Sequence, residues 1–262
     1  MSRWWNRFLP TAPLTMTLGS GRCTAEVPGG QIFEQPLARV FQPKDLHEAL
    51  DALLTSAAAG TAAAATGAAR AHRAEVWLGA GVCAQAVVPV DTVEMRRSQL
   101  QDLLNAQWAE LLDAAPQDLQ VSYNIQRGRR SVVTACCQRW VPQVMSEVAV
   151  THQLGRLRIA PQAVRIWDDV QAQVTGPDGV LVIHSSAGDL ELGAFSSGCW
   201  THWESSAGEQ DALSVQAAVS RFVRFNRLRD SAPVWLHTTG LAQTKEFPLH
   251  WTRVKGVDQE LA

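Results

Sequence analysis

The chain has 262 residues, 46% of them hydrophobic and 18% charged, with a net charge of −2 and a pI near 6.4. That composition excludes a disordered tail or a collagen-like fibre and provides for one large or two small packed domains. Lysine occurs only at Lys44, Lys245 and Lys255, and no overall basic field points to nucleic acid.

From the N-terminus, Leu14, Met16 and Leu18 alternate with threonines up to Gly19-Ser20-Gly21, and a second extended stretch reaches Val27, which predicts a hairpin. Gln31 to Val40 adds a third strand, with Pro36 suited to an edge. Pro43 then opens a helix whose face is Leu46, Leu50, Leu53, Leu54 and Ala57. Thr55 to Ala71 contains Gly60 and Gly67 and little to bury, so it is expected to fray into a surface loop.

Two strands follow, Glu75 to Leu78 and Val82 to Val90, turning at Gly79-Ala80-Gly81. A long helix presents Val93, Leu100, Leu103, Leu104, Trp108, Leu111 and Leu112, with Asp91 or Thr92 as cap and Pro116 as stop. Leu119 to Ile125 and Ser131 to Cys137 pair around Gly128, and Val141, Val144, Met145 and Val148 mark another helix. Beyond Arg165 to Gln173, read as helical, come strands at Val180 to Ile183, Leu190 to Phe195 and Trp200 to Trp203. A helix with Val215, Val219, Phe222 and Val223 on one face follows, then strands at Val234 to Leu236 and Phe247 to Val254. The second half repeats the order of the first: meander, helix, strand.

This order resembles the actin-like ATPase superfamily, whose nucleotide lies between two lobes. The stretch from Val76 through Pro89, the helix Leu100 to Leu112, the strand pair around Gly128 and the helix Val141 to Val148 resemble the small inserted subdomain of PilM-like platform proteins of type IV pili. They are equally similar to that of the cytoplasmic domain of the type II secretion L protein. The basic and aromatic start, Met1 to Pro10, has the same character. The resemblance covers about Leu14 to Val254 and rests on element order and apolar pattern. It implies an α/β, two-lobed actin-like (ribonuclease H-like) fold: residues 1–165 form a first lobe with an insert at about 74–150, and residues 166–262 a reduced second lobe.

The resemblance also locates departures. Active members place an Asp in the first hairpin, two residues before a Gly, to position Mg²⁺; here that position is Thr17, and Thr24 stands where PilM has a lysine. The second hairpin should carry another Asp-x-Gly, yet the chain reads Ile183-His184-Ser185-Ser186-Ala187-Gly188, with Asp189 beyond it. The adenosine loop normally holds consecutive glycines, and His237-Thr238-Thr239-Gly240 keeps one. Gly19, Ser20, Ser185, Ser186 and Gly240 are thus vestigial nucleotide-loop positions. No catalytic residue, metal site or cofactor is expected, Mg·ATP being the alternative.

Five cysteines, an odd number without CxxC spacing, argue against a disulfide framework or a zinc ribbon and fit a reducing cytoplasm. Adjacent Cys136 and Cys137 read as small apolar fillers. Seven histidines include no pair three or four apart, so a shared-face metal site lacks support. His184 and His237 sit at the two lost motifs, where they either face one cleft or, as is more usual for a histidine, serve packing or hydrogen bonding. Ser185 with His237 lacks a Gly-x-Ser-x-Gly elbow behind it. Arg221, Arg224 and Arg227 form a stripe that is ordinarily a solvated face; its functional form is docking to an acidic partner or anionic lipid. Among ten tryptophans, Trp77, Trp108, Trp140, Trp167 and Trp235 read as core, while Trp200 and Trp203 form either a contact surface or a packed edge strand.

The resemblance therefore implies a pseudo-ATPase scaffold at the cytoplasmic face of the inner membrane, serving a type IV pilus or type II secretion platform. Its partners would be a short segment of a membrane-anchored protein and the assembly ATPase, with no nucleic acid. The expected contact residues are Val88, Val90, Leu100 and Trp108, at a groove between the first lobe and the insert, and Arg221 and Arg224 of the basic stripe. The alternative is an active actin-like ATPase or sugar-kinase relative taking its metal carboxylate from Asp189 or Asp168. No membrane span is recognisable and the N-terminus lacks the apolar core of a secretory signal, which favours a PilM-like free-standing protein or an excised cytoplasmic fragment.

Overall fold

The computed structural model describes residues 13–27, 30–38, 40–64, 73–185, 189–207, 211–229, 231–238 and 251–254. In chain order the elements are β1 (Leu14–Gly19), β2 (Arg22–Glu26), β3 (Ile32–Pro36), α1 (Pro43–Ala64), β4 (Arg73–Leu78), β5 (Ala84–Pro89), α2 (Arg97–Leu111), β6 (Leu119–Ile125) and β7 (Ser131–Gln138). There follow α3 (Trp140–Thr151), β8 (Arg156–Pro161), α4 (Gln162–Val170), β9 (Asp178–His184), β10 (Asp189–Ser196), β11 (Cys199–Ala207), α5 (Ala212–Phe225), β12 (Val234–Thr238) and β13 (Trp251–Arg253). The chain divides into two compact units, Met1–Leu78 with Trp140–Ala160, and Gly79–Arg139 with Pro161–Ala262. Among the described residues no helix is long and apolar enough to cross a membrane.

The first unit is built on a sheet of order β3-β2-β1-β4-β8, antiparallel through its first three strands and parallel where β1 meets β4. Leu14, Met16 and Leu18 are buried while the threonines between them are half-buried, the period of two that a sheet with one packed face demands. Gly21, at φ +89°, closes the β1–β2 turn in a conformation L side chains rarely adopt. α1 buries Leu46, Leu50, Leu53, Leu54 and Ala57, and α3 buries Val141, Val144, Met145 and Val148. His152 Nε2 and Asp51 Oδ1, 2.8 Å apart, join the two helices.

The expected fraying after Thr55 does not occur at once, because α1 continues to Ala64. Burying four leucines at about 1.5–3 kcal/mol each outweighs the roughly 1 kcal/mol that Gly60 costs inside a helix, and alanine favours its continuation. Residues 65–72 lie outside the described set. The strand β8 was not foreseen: Arg156-Leu157-Arg158-Ile159 alternates charge with apolar residues over too short a run to stand out.

The second unit repeats the topology in the order β11-β10-β9-β12-β13. This sheet is covered on both faces. Val180, Val182, Leu190, Leu192, Val234 and Leu236 pack with Val215, Val219 and Phe222 of α5, whereas Leu181, Ile183, Phe195 and Trp235 pack with Ala163, Ile166 and Val170 of α4. Two-sided burial is why β9 and β12 read as continuous apolar runs. The expected closing strand contracts to Trp251–Arg253, with residues 247–250 outside the described set.

The insert, β5-β7-β6 with α2 on one face, belongs to the same compact unit. Leu100, Leu104 and Trp108 pack on Leu119, Val121, Val132 and Cys136, and Trp108 Nε1 donates to Thr134 Oγ1 at 3.0 Å. α2 starts later than expected. The Asp91 carboxylate instead accepts the Val93 N–H at 2.9 Å in a local turn, leaving Val93 58% exposed, and the Gln99 side chain accepts from the Arg96 N–H at 3.0 Å. Leu111, at 68% exposure, has turned off the packed face. β5 likewise begins at Ala84 rather than Val82, and α4 spans Gln162–Val170 rather than Arg165 to Gln173.

Close packing gives a direct test. A Cβ on Gly179 would collide with the Trp235 ring and approach the Pro233 carbonyl to 2.9 Å. Gly179→Ala is expected to destabilise the protein by about 1–3 kcal/mol, read as a lower denaturant midpoint.

Candidate functional site

The first hairpin, β1–β2, places the first set of sequence-predicted positions. Thr17 and Thr24 face each other across β1 and β2, and Ser20 at the tip is buried. Gly19, the last residue of β1, is half-buried.

In the second unit, β9 ends at His184 and the chain returns at Asp189. The Ser185 N–H donates to the Asp189 carbonyl at 2.9 Å, and the Asp189 N–H donates to Ser185 Oγ at 3.1 Å, closing the hairpin. Ser186 and Gly240 lie outside the described residues. β12 runs parallel to β9 and sets His237 opposite Ile183 and Thr238 opposite His184. His184 and His237 both line one small cavity, with Ser185, Asp189, Glu191 and Gln162. Its volume, ≈ 10 Å³, has room for about one water molecule.

Glu191 is the residue that the sequence reading missed. It lies in β10 on the same sheet face as Gly193 and Phe195, and only 3% of it is exposed. Its Oε2 accepts a hydrogen bond from Gln85 Nε2 of β5 at 2.6 Å and from Trp203 Nε1 of β11 at 3.2 Å. Burial pushes its carboxyl up to about 7, the Trp203 and Gln85 bonds oppose that rise, and the Asp189 charge adds to it. The signal was present: Leu190-Glu191-Leu192 resembles a solvated alternation, but the neighbouring strand offers Leu181 and Ile183 on the Glu191 face, which marks that face as buried.

The same face builds a groove. Trp200 and Trp203, three residues apart, would point to opposite sides of a regular strand. A register shift between Ala194 and Phe195 gives β11 one extra residue and brings both rings to one side. They stack edge-on at 4.9 Å, with Trp167 of α4 4.7 Å from Trp200, and Phe195 5.5 Å from it. Gly193 leaves the space: a Cβ there would come within 2.6 Å of the Trp200 ring. These indoles, with Val133, Asn124 and Gln85 of the insert and Val164 of α4, line an open groove of ≈ 370 Å³. At its end Gln126 binds β11 in both directions, its Nε2 donating to the Trp200 carbonyl at 2.7 Å and its Oε1 accepting the Trp200 N–H at 2.6 Å.

Of the sequence-predicted contact residues, Leu100 and Trp108 are buried in the insert core, Val88 and Val90 pack half-buried against it, and Arg221 and Arg224 are exposed on α5. Trp200 and Trp203 lie on an edge strand, as one of the two readings has it, and their rings line a groove. Cys23, Cys136 and Cys137 are pushed up to about 11, 12 and 11 by burial, and Cys83 is also raised, so these thiols are poor nucleophiles. Among the described residues no group of three or more His, Cys, Asp or Glu side chains is arranged to hold a metal ion.

This fold is the actin-like ATPase fold. A Bacteroides thetaiotaomicron protein with that fold and unknown function superimposes with a TM-score of 0.58 at 12% identity, over 99% of this chain and 97% of its own. The cytoplasmic domain of EpsL, an inner-membrane component of the type II secretion system of Vibrio cholerae, gives 0.53 at 15% identity over 95% and 91%. The PilM–PilN type IV pilus biogenesis complex gives 0.58 at 13% identity over 88% and 82%. No family model matches the sequence, and no curated protein is significantly similar to it.

A raised carboxyl pKa fixes the sign of a pH effect. Between about 4.5 and about 7 the folded protein holds the Glu191 proton more tightly than the unfolded chain does. Its stabilising contribution is therefore complete below about 4.5 and is lost as pH rises through about 7. Glu191→Gln is expected to flatten the stability profile across that window, removing a downward slope of up to about 1.4 kcal/mol per pH unit, measured by urea titration at each pH.

Proposed function

We propose that this protein is a non-catalytic scaffold at the cytoplasmic face of an inner membrane, part of a type IV pilus or type II secretion assembly platform. It acts by holding a short segment of a membrane-anchored partner, with the assembly ATPase as a second partner. In chain order its first lobe is residues 1–165, carrying the insert, and its second is residues 166–262.

The observation that carries this reading is the groove of ≈ 370 Å³ in the second unit. Rigid indoles suit it to apolar anchor side chains, and the Asn124 and Gln85 amides beside them suit it to peptide groups. The fold similarity to EpsL and PilM supports the setting. In this reading the docking surface is the groove lined by one face of the insert sheet, and not the α2 face, whose Leu100 and Trp108 are committed to the insert core.

The donor set does not fit a Mg·nucleotide. Thr17 stands at the first acidic position, Ser185 closes the second hairpin, and the nearby carboxylates of Asp189 and Glu191 are buried beside a cavity with room for about one water. Asp168 lines the aromatic groove instead.

Calorimetric titration with peptides from the cytoplasmic N-termini of membrane-anchored proteins encoded beside this chain tests the reading. Saturable binding that Trp167→Ala weakens at least about tenfold is expected, since a buried aromatic anchor contributes 2 kcal/mol or more. Mg·ATP is expected to leave the melting curve unchanged. Stabilisation on the order of 2.7 kcal/mol at a hundredfold excess over the dissociation constant would instead establish the ATPase alternative.

A further inference from the structure

We propose that the outer face of α5 is a membrane-docking surface that binds anionic phospholipid headgroups through Arg221 and Arg224 and sets Leu213 and Phe225 into the interface. The chain as a whole is slightly acidic, yet α5 and its exit carry Arg221, Arg224, Arg227 and Arg229, with Asp211 confined to the N-cap and Arg229 alone facing Asp178, at 3.8 Å. Positive charge is thus gathered on one helix and its exit.

α5 divides its residues sharply. Val215, Val219 and Phe222 face the core, while Leu213, Ala217, Ser220, Arg221, Arg224 and Phe225 face outward. Phe225 is 83% exposed and Leu213 76%, so two large apolar side chains stand in water at opposite ends of the helix. At 1.5 Å per residue they are about 18 Å apart along the axis. Between them Ala217, Ser220, Arg221 and Arg224, together with Phe225 itself, border an open depression of ≈ 460 Å³.

Charge complementarity calls for an anionic partner, and the shape favours a lipid surface over an acidic peptide. The α5 backbone is hydrogen-bonded internally, so an extended peptide finds no main-chain partners along it. Two protruding apolar tips flanking a basic centre match the layered chemistry of a bilayer surface, with headgroup phosphate outside and acyl chain below. The groove with Trp167 and Trp200 plays no part, so this inference stands apart from the peptide-binding reading.

The test is flotation of the full chain with vesicles of phosphatidylcholine alone or with about one-third phosphatidylglycerol. Binding is expected only to the anionic vesicles, falling as salt rises from about 0.1 to 0.5 M. Arg221→Glu with Arg224→Glu is expected to weaken it roughly tenfold or more, and Phe225→Ala with Leu213→Ala to reduce it at unchanged melting temperature. Equal binding to neutral vesicles, or a double arginine variant that floats like the parent, would overturn the proposal. So would arginine-dependent capture on polyglutamate without vesicle binding, which would assign the face to an acidic protein.

Discussion

A carboxyl group sunk in the middle of a sheet has to be solvated by protein, and for Glu191 the donors come from two different sheets. Gln85 reaches it from the insert and Trp203 from the edge strand of the larger sheet. Withdrawing either donor leaves a buried acceptor short of a partner, which typically costs about 1–3 kcal/mol. The position of the insert within its unit is thereby coupled to a polar contact that tolerates little displacement. The groove depends on that position, because its walls come from both sides of the same junction.

The packing around this junction is equally specific. Gly193 stands beside Glu191 on the strand and makes room for two indoles that a side chain would displace. The register shift opposite it turns Trp200 to the side of Trp203. A hydrogen-bonded acid, a missing side chain and an irregular strand jointly produce one rigid aromatic floor. In general, contact groups already fixed in place lower the entropic cost of binding.

The architecture was largely legible in the chain because its two sheets repeat one order of elements, and the apolar spacing of α1, α3 and α5 is regular. The resemblance to actin-like proteins rested on that order, and the structural similarities bear it out. Legibility failed where tertiary contacts override local pattern. Leu111 fits the helical period of α2 yet points to solvent, and β8 is too short to register. Glu191 was overlooked because a single acid among leucines looks like a water-facing position until its neighbours across the sheet are known. Trp200 and Trp203 were noticed, but their shared side follows from a bulge that spacing alone does not reveal.

The two-way pairing of Gln126 with Trp200 has a bearing on self-association. β11 borders its sheet, and a bordering strand is where sheets of separate molecules can join end to end through main-chain groups. A side-chain amide imitating one rung of an additional strand occupies those groups at Trp200. The border is plugged by the molecule's own substance, so polymer growth by strand addition is blocked at that rung.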